Sequence, residues 1–223
     1  MNSEPNTISL SDETGFLPII EHRKEKSIDS LNVPFTTVDT IKYFYFILDG
    51  KIKISQINPE TAKEQTTSLL TRGDMFDIIT LLDKKPHEYV ATTLEKTRIL
   101  EVPINHVRDL IENSTDFNRY FFPYLANQMR QMEALAVDLS LYDVYQRIIR
   151  LIGRNLQEDH EGYHLDLINN LSHEELATLV GSVRKVLNRN LQKLKKEGII
   201  DISRKELSVK DLQKLFEKVE FLS

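Results

Sequence analysis

Arg184, Lys185 and Arg189 lie close together in a stretch with no Asp or Glu until Glu197. Arginine can bind guanine bidentately through O6 and N7, and lysine reaches the same atoms. On the first two turns of a helix, cations at this spacing could read base edges in a DNA major groove. Lys193, Lys195 and Lys196 follow. Ammonium groups further along such a helix suit phosphates, which position a protein without specifying sequence. Arg204 and Lys205 in a later turn, and the hydroxyls of Ser172 and Ser182, complete the phosphate-contact candidates.

The flanking residues predict how these groups are held. Ser172 and Glu175 form a Ser-x-x-Glu capping box that starts a helix. Leu176, Leu179 and Val180 give that helix an apolar face. Gly181 supplies the freedom for positive φ that a tight interhelical turn needs. A second helix is expected from Ser182 to Lys196, burying Val183, Val186, Leu187, Leu191 and Leu194. Gly198 ends it. Ile199–Ile202 and Leu207–Val209 then read as a two-stranded wing with Arg204 and Lys205 at its tip. The pattern predicts a winged helix-turn-helix. Charge agrees: residues 168–223 hold 11 Lys and Arg against 8 Asp and Glu, or +3, leaving −8 on the rest of a chain whose net charge is −5. Local charge, not the total, decides phosphate binding.

Upstream, Phe121, Leu125, Met129, Met132, Ala136 and Leu139 recur at steps of three and four between Asp116 and Leu139. That is an apolar seam on a long helix, with Pro123 expected in its first turn. A matching helix from a second chain would cover the seam; an intrachain core helix is the alternative. Before Pro103 the pattern is short strand-like runs, Tyr43–Leu48 and Lys51–Ser55, with Thr66–Leu70, Met75–Leu82, Tyr89–Thr93 and Arg98–Val102 as further short strands or buried turns. Asp49-Gly50 reads as a hairpin turn between the first two, and Asn58-Pro59 as another turn. Ile104–Ile111 reads as a short helix. The expected organisation is a loose arm over 1–15, a β-barrel or sandwich over 16–115, a dimerisation helix over 116–139 and a DNA-binding domain over 140–223.

Several chemistries are excluded. There is no cysteine, so there is no disulfide framework, thiolate zinc site or cysteine-ligated iron–sulfur cluster. No apolar run reaches membrane-spanning length, and the polar, acidic N-terminus is unlike a targeting peptide, so a cytoplasmic location is expected. Asp74, Asp77 and Ser68 belong to no recognisable catalytic pattern, and a non-enzyme is expected. His160 and His164 are separated by Gly162, which argues for a loop rather than a helical metal pair.

Taken in this order, the segments resemble the Crp/Fnr family of bacterial transcription regulators over nearly the full length. Leu171–Gly198 resembles the family's helix-turn-helix, and Asp138–Ile148 its hinge and following helix. Tyr45–Gly50 resembles a strand and glycine turn of its barrel. Arg72-Gly73-Asp74 with Phe76 resembles the turn ahead of its effector pocket. The resemblance implies an α+β chain: an N-terminal double-stranded β-helix (a cyclic-nucleotide-binding-like jelly roll), a long dimerisation helix and a C-terminal winged helix. It implies a homodimer bound to palindromic double-stranded DNA, with RNA polymerase as a candidate partner and no membrane. Gly73, Phe76, Asp77, Tyr89, Met132 and Glu133 become the effector-pocket candidates.

Departures from the family matter as much. Asp77-Ile78 replaces the Gly-Glu that holds a cyclic nucleotide's ribose. Tyr89-Val90 replaces the Arg-Ser that holds its phosphate. Met132 and Glu133 replace hydroxyl residues that meet its base. A buried phosphate without a cation is costly, so the expected effector is not cyclic AMP. Haem, with His87 as the candidate ligand, or another small molecule stays open. On the recognition helix, Arg184-Lys185-Val186 stands where the family often has Arg-Glu-Thr. Lysine cannot accept from cytosine N4 as glutamate does, so a different target sequence is expected. A barrel-type protein-interaction module without DNA binding is the reading from another class.

Overall fold

The computed structural model describes residues 23–160, 162–203 and 206–220. The expected arm over 1–15 lies outside the described residues. Two compact units form, and the division between them falls inside one long helix, between Met132 and Glu133; residues 58–66 join the second unit. The fold is an N-terminal β domain, a long helix and a C-terminal winged helix-turn-helix.

The first unit is built from β1 (Lys24–Ile28), α1 (Thr37–Thr40), β2 (Tyr43–Asp49), β3 (Ile52–Ile57), β4 (Glu64–Leu70) from Thr67 onward, β5 (Met75–Phe76), α2 (Ile78–Asp83), β6 (Val90–Thr93), β7 (Thr97–Pro103) and α3 (Ile104–Asn113), with the first part of α4 (Thr115–Leu141). One sheet has the order β1-β7-β2-β5 and the other β4-β3-β6. Residue alternation along β2 separates two cores, because successive side chains point to opposite faces. Tyr45 and Ile47 join Phe35, Ile52, Ile54, Leu70, Phe76, Ala91 and Ile99 between the sheets. Phe44 and Phe46 join Leu100, Val102, Val107, Phe117, Phe121 and Tyr124 on the outer face, under the helices.

Two local expectations are corrected. Asp49-Gly50 does not close a hairpin, since β2 and β3 lie in different sheets. Gly50 is there for close approach: it has φ +92°, and a Cβ would meet Thr97 Oγ1 at 2.5 Å and Lys96 O at 2.8 Å. The hairpin forms instead between β3 and β4, neighbours in one sheet. There Asn58 Oδ1 accepts from Glu60 N and Thr61 N at 3.0 and 2.9 Å. Met75–Leu82, read as a short strand or a buried turn, is a strand only at its start. It is the two-residue β5 followed by α2, which Asp77 caps by accepting from Thr80 N.

The long helix α4 starts at Thr115. Pro123 therefore sits in its interior rather than its first turn. A proline there removes one intrahelical hydrogen bond. Tyr124 follows and is tied inward: its hydroxyl accepts from Met75 N at 2.9 Å and donates to Asp74 Oδ1 at 3.1 Å. Asp74 is buried enough that its pKa is raised despite this bond and that from Thr71 N.

The second unit contains the end of α4, α5 (Val144–Asn155), β8 (Gln157–Asp159), β9 (Gly162–His164), α6 (His173–Leu179), α7 (Arg184–Lys196), β10 (Ile200–Ile202), β11 (Leu207–Val209) and α8 (Leu212–Glu220). Ile148, Ile149 and Ile152 of α5 and Leu187, Leu191 and Leu194 of α7 are buried. Asp138, buried near the end of α4, accepts from Arg150 Nε at 2.7 Å and from Arg154. That ion-paired carboxylate ties α4 to α5. Among the described residues, no helix is long and apolar enough to cross a membrane.

Candidate nucleic-acid interface

The capping box at Ser172 is complete. Ser172 Oγ accepts from Glu175 N at 3.2 Å, and Glu175 Oε2 accepts from Ser172 N at 2.6 Å. The box satisfies donors that a helix start leaves without partners. Val180 and Gly181 then turn the chain, Gly181 at φ +61°. A Cβ on Gly181 would lie 2.5 Å from Leu139 Cδ2, so crowding as well as φ favours glycine there.

The second helix starts later than expected. α7 begins at Arg184, its N-cap is Val183, and that residue makes no side-chain cap bond. Val183 is also not buried: it is 57% exposed. The assignment of Val183 to the buried face is therefore corrected. A 3.6-residue period places Leu187, Leu191 and Leu194 inward, and Val183 precedes the first helical residue, so that period does not govern it.

Arg184, Lys185 and Arg189 are all exposed near the α7 N-terminus. Lys196 is exposed too, and among the described residues it has no ion-pair partner. Two other lysines have internal roles. Lys193 Nζ sits 4.1 Å from the Tyr145 ring centroid. Lys195 Nζ pairs with Asp201 Oδ1 at 2.6 Å and donates to Ile202 O at 3.2 Å, fastening α7 to β10. Tyr145 donates to Glu197 at 2.5 Å, and Lys218 bonds the same carboxylate at 3.2 Å, so α5, α7 and α8 are joined by one polar cluster.

β10 and β11 pair antiparallel, Ile200 with Val209 and Ile202 with Leu207. The tip residues Arg204 and Lys205 lie outside the described residues. A cavity of roughly 430 Å³ runs between the α6 start, α7 and the wing, with Ser172, Arg184 and Ser203 on its wall. Glu174 and Glu206 line it as well, so the positive charge on its wall comes from Arg184 on the α7 side. Ser182 is half-buried in the turn, its N–H donating to Ala177 O at 2.9 Å.

The seam residues divide. Phe121 is 0% exposed, stacked on Phe117 at 5.5 Å in the chain's own core. It cannot meet a second chain, and its place in the seam is corrected. Its neighbour Phe122 is 53% exposed. Phe122, Leu125, Met129, Met132, Ala136 and Leu139 keep steps of three and four, and all but the half-buried Leu125 are exposed. Spacing alone admits either phenylalanine. The deciding signal is that Phe117, Phe121 and Tyr124 form a second stripe, buried on the adjacent face of the helix.

In the β domain, the effector-pocket candidates are only partly brought together. Phe76 and Tyr89 meet edge-on at 4.8 Å, and Phe35 stacks on Phe76 at 4.7 Å and on Tyr45 at 4.6 Å. Gly73 lies in the turn before β5 at φ +91°. Met132 and Glu133 are exposed on α4. Sequence reasoning missed Glu101, a buried carboxylate beside Tyr45 on the intersheet side, which accepts from Tyr45 Oη at 3.2 Å and pairs with Lys26. Burial holds the Tyr45 and Tyr89 hydroxyls far above their usual range, with Glu101 adding to the effect on Tyr45.

Asp77 is buried and fully engaged. It accepts from Thr80 Oγ1 at 2.7 Å and lies 3.2 Å from His87 Nδ1. The hydrogen bond to Asp77 raises the His87 pKa above 6.5, against the opposing effect of burial. A raised cationic group stabilises the fold fully below its unfolded value, and loses that contribution as pH rises through its folded value. Urea unfolding of His87→Gln beside the parent should show a gap at about pH 6 that shrinks by about pH 9. An equal gap at both would reject the ion pair.

Residues 32–114 match the family model for a cyclic nucleotide-binding domain, and residues 146–217 that for a Crp-like helix-turn-helix domain. The chain is 27% identical over 173 residues to the CRP-like cAMP-activated global transcriptional regulator of Mycobacterium tuberculosis, covering 77% of each chain. It is 26% identical over 201 residues to the global nitrogen regulator of a Nostoc species, covering 87% of this chain and 86% of that one. Its fold is similar to that of a CooA mutant from Carboxydothermus hydrogenoformans, with a TM-score of 0.77 at 20% identity over 96% of both chains. With both domain models matched in this order, the chain belongs to the Crp/Fnr family of transcription regulators.

Proposed function

We propose that this protein is a homodimeric, sequence-specific DNA reader that places α7 of each chain in one of two successive major grooves of a palindromic site. The exposed, acid-free start of α7, with Arg184, Lys185 and Arg189 together, carries this reading. The exposed three-and-four seam on α4 supports the dimer, and Ser172, Ser182, Lys193, Lys195 and Lys196 are the phosphate contacts it assigns. Arg204 and Lys205 would add two more.

The effector of this reading is not cyclic AMP, although the M. tuberculosis relative is cAMP-activated by name. Phe35, Tyr45, Phe76 and Tyr89 pack on one another where the two sheets meet. The buried carboxylates there, Asp77 and Glu101, already have partners. A cyclic phosphate added beside them would meet like charge in a site of low dielectric.

Selection of bound sites from random DNA tests the reading. The expected product is a palindrome with half-sites centred about 34 Å apart, one turn of B-DNA. Affinity should fall with salt at a slope of about −0.9 per phosphate neutralised, and should be unchanged by cyclic AMP. Recovery of no palindrome overturns the dimeric reader. Affinity without salt dependence would instead favour a protein-interaction module, and a cyclic AMP response would overturn the effector assignment.

A further inference from the structure

We infer that Val183 is a base-reading residue that recognises a thymine through its C5-methyl group. The inference rests on α7 being the DNA-reading helix. Asp143 and Ser172, at the starts of α5 and α6 in the same unit, each accept a hydrogen bond from the third residue of their helix. Oxygen-bearing side chains are the stabilising choice at an N-cap, and valine is among the poor ones. α7 departs from this. Its N-cap is Val183, in extended backbone at φ −109°, ψ 150°, with no side-chain cap bond.

Nor does the valine serve the core, since it is among the exposed large hydrophobics. The isopropyl group has no donor or acceptor, so it cannot hold a phosphate. Folding gains little from it, and a capping residue would serve the helix better. Its surroundings are the reading groups themselves: Arg184 and Lys185 follow directly, and the half-buried Val186 comes three residues later. A helix entering the major groove by its N-terminus brings such a position to the base edges. The one apolar feature a base pair offers there is the thymine methyl, and apolar side chains are its usual contacts.

The test uses the full-length protein and the site recovered by selection. Each thymine of a half-site is replaced in turn by deoxyuracil, which keeps every hydrogen-bonding group and removes only the methyl. At one thymine, next to the base pair whose preference Arg184→Ala relaxes, the parent should lose about fourfold in affinity per half-site, the scale of burying one methyl-sized group. Val183→Ser should bind thymine and uracil sites alike, and should melt no lower than the parent because serine restores a cap. A parent indifferent to uracil at every position, or a Val183→Ser protein with the same uracil penalty, overturns the inference while leaving DNA reading intact. Failure to select any DNA overturns both.

Discussion

Met129→Glu should turn the dimer into a monomer and lower operator affinity by about a hundredfold or more, while leaving each chain folded. The residue is 66% exposed in the single chain, so glutamate costs the isolated fold little. In a paired seam the same carboxylate would be buried without a partner, which costs about 3–5 kcal/mol. A monomer reads one half-site only and loses the effective concentration, about millimolar for closely linked modules, that its partner confers. Sedimentation equilibrium and a binding titration check both parts. Phe121→Ala is the contrasting change. It removes a ring from the chain's own core and should cost about 3–5 kcal/mol of stability, with the mass of the folded species unchanged. Dissociation by Phe121→Ala at full stability would contradict the seam drawn through Phe122.

Arg184→Ala should relax preference at one base pair per half-site by about 1–3 kcal/mol, roughly a fivefold to 150-fold loss of discrimination. Lys196→Ala should instead weaken all sequences evenly and reduce the salt slope by about one. Lys196 is the cleaner phosphate probe. Lys195 also holds Asp201 and Ile202 O at the first wing strand, so its removal perturbs the wing as well as any phosphate contact. Measuring each variant against the selected site and its single-base changes separates the roles. Equal loss of preference in both variants would show that the division is wrong.

The regular parts of the fold were legible because they follow local rules. The α6 start is written in Ser172 and Glu175, whose side chains need only each other's backbone. The buried face of α7 follows from the spacing of Leu187, Leu191 and Leu194. The antiparallel wing follows from two short β-branched runs around a polar turn. Readings failed where two local solutions were equally good. Asp49-Gly50 suits a hairpin, but it also suits a chain passing from one sheet to the other past Thr97. Phe121 and Phe122 both fit a seam that continues through Leu125, and only the packing of Phe117 and Tyr124 separates them.

By itself, the order of residues determined that a basic, acid-free helix follows a capped helix and a glycine turn, and that no cysteine chemistry is available. Those are properties of neighbours along the chain. Tertiary structure decided which groups are left exposed to act. It bonded Lys195 to the wing, folded Phe121 into the core, engaged Asp77 with Thr80 and His87, and left Val183 at the surface beside Arg184. The physical reason is that burial and pairing are set by residues distant in sequence. Arg184, Lys185 and Arg189 could be recognised as cations that suit DNA from their types and spacing; their exposure together at the start of α7 depended on how the helix packs.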